Sequence, residues 1–212
     1  MQKKHVVKDI LKQHNITAWY QPIVNIESRE LLGWEAFSRG LETDNGLATP
    51  AMFDTAAEAG ILKPFDLMCL HNAATCFEQL QLNHKLFINL SNEMLIASSR
   101  LKKQVGKMIA TNVIPPTRMV LELDEKNASQ NTQDLIEAVS YFHEQGFEIA
   151  IDHLSGMGDI GENQDLHALW EQLKPDYIKL DRDFIENIQC QQTKNRQRVG
   201  RCGALNQFYF DR

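Results

Sequence analysis

The chain has 212 residues, 43% of them hydrophobic and 24% charged, with a formal net charge of −6. That length supports one large domain or two small ones with a real core, and the charge gives no overall pull toward a nucleic-acid polymer or an anionic membrane. No apolar run approaches the length of a bilayer span, and the polar stretch from Met1 to Asn15 reads as a helix rather than a signal peptide. Cys69, Cys76, Cys190 and Cys202 form no Cys-x-x-Cys pair, so Cys69 and Cys76 are expected as small buried apolar side chains in a reduced compartment. The expected setting is the cytoplasm.

In chain order, strand-like and helix-like patterns alternate. Strands are expected over Trp19 to Ile26, Leu31 to Phe37, Leu86 to Leu90, Met119 to Leu123, Phe147 to Ile151 and Tyr177 to Leu180. Several are short unbroken apolar runs, as in strands covered on both faces. Between them, Asp54 to Glu58 lies in a helix that Gly60 ends. Phe65, Cys69, Ala73, Cys76 and Leu80 recur at helical spacing, and Leu135, Ala138 and Phe142 do the same before Gly146. This alternation fits a TIM-like barrel or a doubly wound open sheet. No Gly-x-Gly-x-x-Gly follows the first strand, which disfavours the dinucleotide-binding open sheet. From Gln189 the chain becomes rich in Gln and Arg, with Lys194, Arg196, Arg198, Arg201 and Arg212 against the single acid Asp211. A solvated basic tail, or a stretch unrelated to the domain, is the expectation for residues 189–212.

The strand ends carry the chemistry. Glu35, Asn89, Glu122 and Asp152 come from four different strands. Singly, each could cap a following helix, but a barrel points all four into one mouth. Three carboxylates and an amide oxygen suit Mg²⁺ or Mn²⁺ rather than copper or structural zinc. Crowded carboxylates repel one another unless a cation lies between them. Lys179 could orient a water or contact a phosphate, and Arg39 could take a phosphate in bidentate fashion.

These residues lie in segments that resemble the EAL family of cyclic di-GMP phosphodiesterases, in order, over nearly all of residues 16–188. They are YQPIV (Tyr20 to Val24), WEAFSR (Trp34 to Arg39), FDTAAEAG (Phe53 to Gly60), INLS (Ile88 to Ser91), LELDE (Leu121 to Glu125), IAIDH (Ile149 to His153) and YIKLDRDFI (Tyr177 to Ile185). The resemblance implies an α/β TIM-like barrel with an antiparallel first strand, following the helix read over residues 1–15. It implies Glu35, Asn89, Glu122 and Asp152 as ligands of a first metal, with Glu35 and Lys179 in catalysis and Lys179 holding a water. Gln21 and Arg39 would contact base or phosphate, Glu125 would brace a loop, and Asp181 would lie near a second metal. For Gln21, Glu125 and Asp181, satisfying backbone donors at loop ends is an equal alternative.

Two departures qualify these roles. His153 stands where the family has a second aspartate bridging two metals, and one neutral imidazole nitrogen cannot bridge two cations. The family's last two strands, which carry Ala-Glu-Gly-Val-Glu and Gln-Gly motifs, have no counterpart here. The expectation is therefore a barrel with open edges at its first and sixth strands, either covered by a partner protein or a second copy, or left as an open remnant of limited stability that aggregates. The function implied is a cyclic di-GMP-binding or docking module with impaired hydrolysis; the alternative is an active Mg²⁺-dependent phosphodiesterase yielding linear pGpG.

Overall fold

The computed structural model describes residues 2–25, 28–40, 49–91, 94, 114–124, 132–154, 171–180 and 206–209. Its helices are α1 (Gln2–Gln13), α2 (Thr49–Glu58), α3 (Leu62–Gln79) and α4 (Thr132–Glu144). The strands are β1 (Ile16–Asn25), β2 (Leu31–Gly40), β3 (Lys85–Asn89), β4 (Met119–Asp124), β5 (Glu148–Leu154), β6 (Tyr177–Leu180) and β7 (Asn206–Tyr209). They form a closed barrel in sequence order. β1 runs antiparallel to β2, and β2 through β7 are mutually parallel. The alternation of strands and helices and the antiparallel start agree with the sequence reading.

Strands β3, β4 and β5 are sandwiched, which explains their unbroken apolar runs. Outward-facing Leu86, Ile88, Met119, Leu121, Leu123, Ile149 and Ile151 join one core cluster with Leu70, Ala73, Ala74 and Phe77 of α3 and Leu135, Ala138, Val139 and Phe142 of α4. The residues between them face the barrel axis: Phe87, Val120, Ala150 and Tyr177 pack there with Ile23. A second outer cluster joins α1, α2 and α3 through Val7, Ile10, Met52, Ala56, Phe65, Met68 and Cys69. Gly146 follows α4 at φ +89, a left-handed conformation that glycine adopts without strain.

Among the described residues, no helix is long and apolar enough to cross a membrane.

The expectation of open edges is corrected at β6 and at one end of β1. Within the presumed tail, Asn206–Tyr209 forms β7, which pairs with β6 at Tyr177↔Asn206, Ile178↔Gln207 and Lys179↔Phe208. On its other side β7 meets β1 at Val24↔Tyr209 and Asn25↔Phe208. Four residues are too few to show a strand period in sequence. Their Phe and Tyr suit a strand, and the two neighbouring edges supply the ladder that fixes it.

Inside the barrel, β2 and β3 approach closely because Gly33 has no side chain. A Cβ at this position would lie 2.4 Å from the Lys85 carbonyl oxygen and 2.8 Å from Phe87 Cε2. The first contact is with backbone and cannot be relieved by a rotamer change. Gly33→Ala is therefore expected to lower unfolding free energy by about 1–3 kcal/mol through overpacking, read as an earlier urea midpoint at unchanged slope. A midpoint equal to wild type would show that β2 and β3 are not held this close.

Candidate metal centre in the barrel mouth

The period of two in each strand builds the site. Two residues beyond the apolar inner layer of Phe87, Val120, Ala150 and Tyr177 come Asn89, Glu122, Asp152 and Lys179 on the same inward face. Glu35 enters from β2 and pairs in register with Gln21 of β1. The four predicted metal ligands and Lys179 are thus brought together, with Gln21 beside them.

Glu35, Glu122, Asp152 and Lys179 are all buried. One oxygen from each of the three carboxylates lies within 4.8 Å of the others. Lys179 Nζ lies 3.0 Å from Glu35 Oε1, 2.9 Å from Glu122 Oε1 and 3.1 Å from Asp152 Oδ2. Asn89 Nδ2 donates to Glu35 Oε1 at 3.1 Å. Burial works against the Lys179 ammonium, but Glu122, then Glu35 and Asp152, outweigh it and hold the amine in its charged form. Burial drives Glu122 the other way: its pKa is raised well above 4.5, with Glu35 and Asp152 adding to the rise and Lys179 opposing it.

Counted as fully ionised, three buried carboxylates against one ammonium carry two surplus negative charges, a surplus that the raised Glu122 pKa answers with a proton when no cation is bound. Glu122 Oε2 is buried with no hydrogen-bond partner among the described residues, and an unsatisfied buried oxygen of this kind is costly. The all-oxygen donor set, the surplus charge and the orphaned oxygen fit a divalent hard cation.

Several residues fix this geometry. Asp176 Oδ2 accepts the Ile149 N–H at 2.8 Å and lies 3.0 Å from His143 Nε2, tying the start of β6 to β5. Further along, the register shifts between Ile151↔Ile178 and Leu154↔Leu180, so that along the backbone two residues of β5, Asp152 and His153, span the one residue Lys179 of β6. Such a bulge re-aims side chains. Asp66, which the sequence reading passed over, is buried on α3 and accepts the Ser91 N–H at 3.0 Å, just past Asn89. Its signal was a carboxylate set inside an apolar helical pattern. Nearby Cys69 is buried, and that burial pushes its thiol up to about 12; Cys76 is only half-buried.

Arg39 lies on the same inward face as Glu35, four residues along β2, with its guanidinium 5.6 Å from the Trp19 ring centroid. Glu125 and Asp181 lie outside the described residues, as does the loop after β5. His153 belongs to β5 by its backbone.

The raised Glu122 pKa has a definite consequence for pH. The folded state keeps a proton that the unfolded state loses above 4.5, so this stability is complete below 4.5 and is lost as pH rises through the raised value. With EDTA present, one such proton contributes a slope of up to about 1.4 kcal/mol per pH unit. Glu122→Gln should remove that slope, and Mg²⁺ should flatten it in the wild type by taking the proton's place. Urea titrations from pH 4.5 upward read both effects. Parallel profiles for wild type and variant in EDTA would contradict this account of the site.

The EAL domain family matches residues 5–205 of the chain. The probable cyclic di-GMP phosphodiesterase PdeB of Escherichia coli (strain K12) is 26% identical over 190 residues, covering 87% of this chain and 35% of that protein. PdeN of the same organism, also a probable cyclic di-GMP phosphodiesterase, is 27% identical over 84% of this chain and 34% of its own length. The chain thus spans about a third of these curated relatives. Among solved structures, the FimX EAL domain from Pseudomonas aeruginosa bound to c-di-GMP superposes with TM-score 0.74 at 17% identity, over 94% of this chain and 78% of that one. The Klebsiella pneumoniae BlrP1 calcium/cy-diGMP complex gives 0.67 at 23% identity, over 82% and 42%. These likenesses show the fold, and the family match over residues 5–205 shows that the chain belongs to the EAL domain family.

Proposed function

We propose that the barrel mouth binds cyclic di-GMP together with one divalent cation, Mg²⁺ or Mn²⁺, and hydrolyses the dinucleotide slowly. The observation that carries this reading is the buried group of Glu35, Glu122 and Asp152 around one ammonium, with Glu122 Oε2 left without a hydrogen-bond partner among the described residues. Oxygens of Glu35, Asn89, Glu122 and Asp152 would hold the cation. When bound, the cation supplies Lewis-acid polarisation of a phosphoryl oxygen.

The chain's own groups do the rest. With a cation on the carboxylates, one N–H of the Lys179 ammonium would turn from them to the attacking water or to the phosphate, and Arg39 would offer its planar fork to a phosphate. Gln21, paired in register with Glu35, would contact the base or phosphate side of the ligand. Glu125 as a loop brace and Asp181 beside a second cation are retained as proposals from the family pattern. Hydrolysis adds water across one phosphorus–oxygen ester bond and releases linear pGpG. The slow rate is inferred from His153: one neutral nitrogen at that position on β5 does not bridge two cations or offset their charge.

A docking role has its own support. On its second edge, Ile16–Ile23 of β1 has no strand partner among the described residues, which is where a partner protein or second copy would add a strand.

Calorimetry with Mg²⁺ and cyclic di-GMP, followed by chromatography for pGpG, tests the main reading. One cation per chain and saturable nucleotide binding are expected, with turnover far below that of two-cation relatives. Two cations and rapid turnover would establish the active phosphodiesterase instead.

A further inference from the structure

Trp19 is 63% exposed, the most exposed large apolar side chain among the described residues. Single exposed apolar residues are common and by themselves need no explanation. Trp19 differs in its place and its partner. Along β1, Ala18 and Tyr20 face outward against the core, and the Tyr20 hydroxyl donates to the Ala73 carbonyl of α3. The alternate residues Trp19, Gln21 and Ile23 therefore face the axis, and Ile23 is part of the inner apolar layer. Register places Ile23 opposite Gly33, Gln21 opposite Glu35 and Trp19 opposite Phe37. Trp19 is thus one inward position above the carboxylates, on the open side of the barrel.

Its partner is Arg39, whose guanidinium lies 5.6 Å from the ring centroid. A cation held over an indole fixes the ring's orientation and adds electrostatic attraction. A fixed flat apolar surface at the rim of a polar pocket is the kind of platform on which nucleobases stack, and such stacking tolerates any base because every base has a π-face.

We propose that Trp19, steadied by Arg39, is the stacking platform for one purine base of the bound dinucleotide. This rests on the cyclic di-GMP reading above and adds a base-binding subsite to it. Arg39 would then lie between the base platform and the phosphate, so that the two contacts are made side by side.

The test compares cyclic di-GMP binding by calorimetry, in Mg²⁺, for the wild-type chain, Trp19→Ala and Trp19→Phe. Loss of one stacked base predicts a Kd about tenfold to a hundredfold higher for Trp19→Ala. Trp19→Phe, which keeps a ring, should recover most of that loss. Thermal melts of the free proteins separate this from misfolding: an exposed side chain is expected to leave the midpoint of Trp19→Ala close to wild type. If the wild type binds and Trp19→Ala binds equally well, the stacking role is overturned and the cyclic di-GMP reading stands. If the wild type itself does not bind, the cyclic di-GMP reading falls and this subsite with it.

Discussion

The structure depends on the electrostatic balance at one point inside the barrel. Lys179 Nζ lies within 3.1 Å of three carboxylates from three other strands, and all four groups are buried. Removing charges from water is costly, and their mutual attraction offsets the cost only when geometry and partners are good. Each ion contact here crosses between strands, so the strands' register and the charge pattern constrain each other. A slip by one residue would turn an acid into the outer apolar core and a leucine into the site.

The apolar layer beneath is the complement of this arrangement. Phe87 and Tyr177, with ring centroids 5.6 Å apart, fill the axis below the carboxylates. At the same end, Lys85 and Glu148 form an ion pair, and Lys85 Nζ lies 5.5 Å from the Tyr177 ring centroid. This filled layer helps keep the carboxylates in a low dielectric, where their interactions with a cation or a phosphate are strongest.

Much of this was legible from residue order. The runs Leu86 to Leu90, Met119 to Leu123 and Phe147 to Ile151 placed the strands to within a few residues, and their polar members marked the inward face at Asn89, Glu122 and Asp152. Asp66 was hidden because a helical period reports which residues are apolar, not which buried acid meets a distant backbone N–H. The bulge at Asp152 and His153 could not be read either, since register shifts depend on the neighbouring strand. β7 escaped because four residues carry no period, and its two partners lie about 30 and 180 residues away along the chain. Trp19 read as one more strand aromatic until pairing with Phe37 gave it a height in the barrel.

The ring is thin at one seam. β1 and β2 share nine paired positions, whereas β7 meets β1 at two. Proteins open locally where the least structure must be broken, and amide hydrogen exchange follows that order. β7 is thus the place for the barrel to breathe, and its other neighbour is the strand that carries Lys179. Transient detachment of β7 would free one edge of β6 and loosen the hold on the ammonium. Ligand occupancy that stiffens Lys179 should then slow exchange in residues 206–209, coupling the mouth of the barrel to a segment with no place in its chemistry.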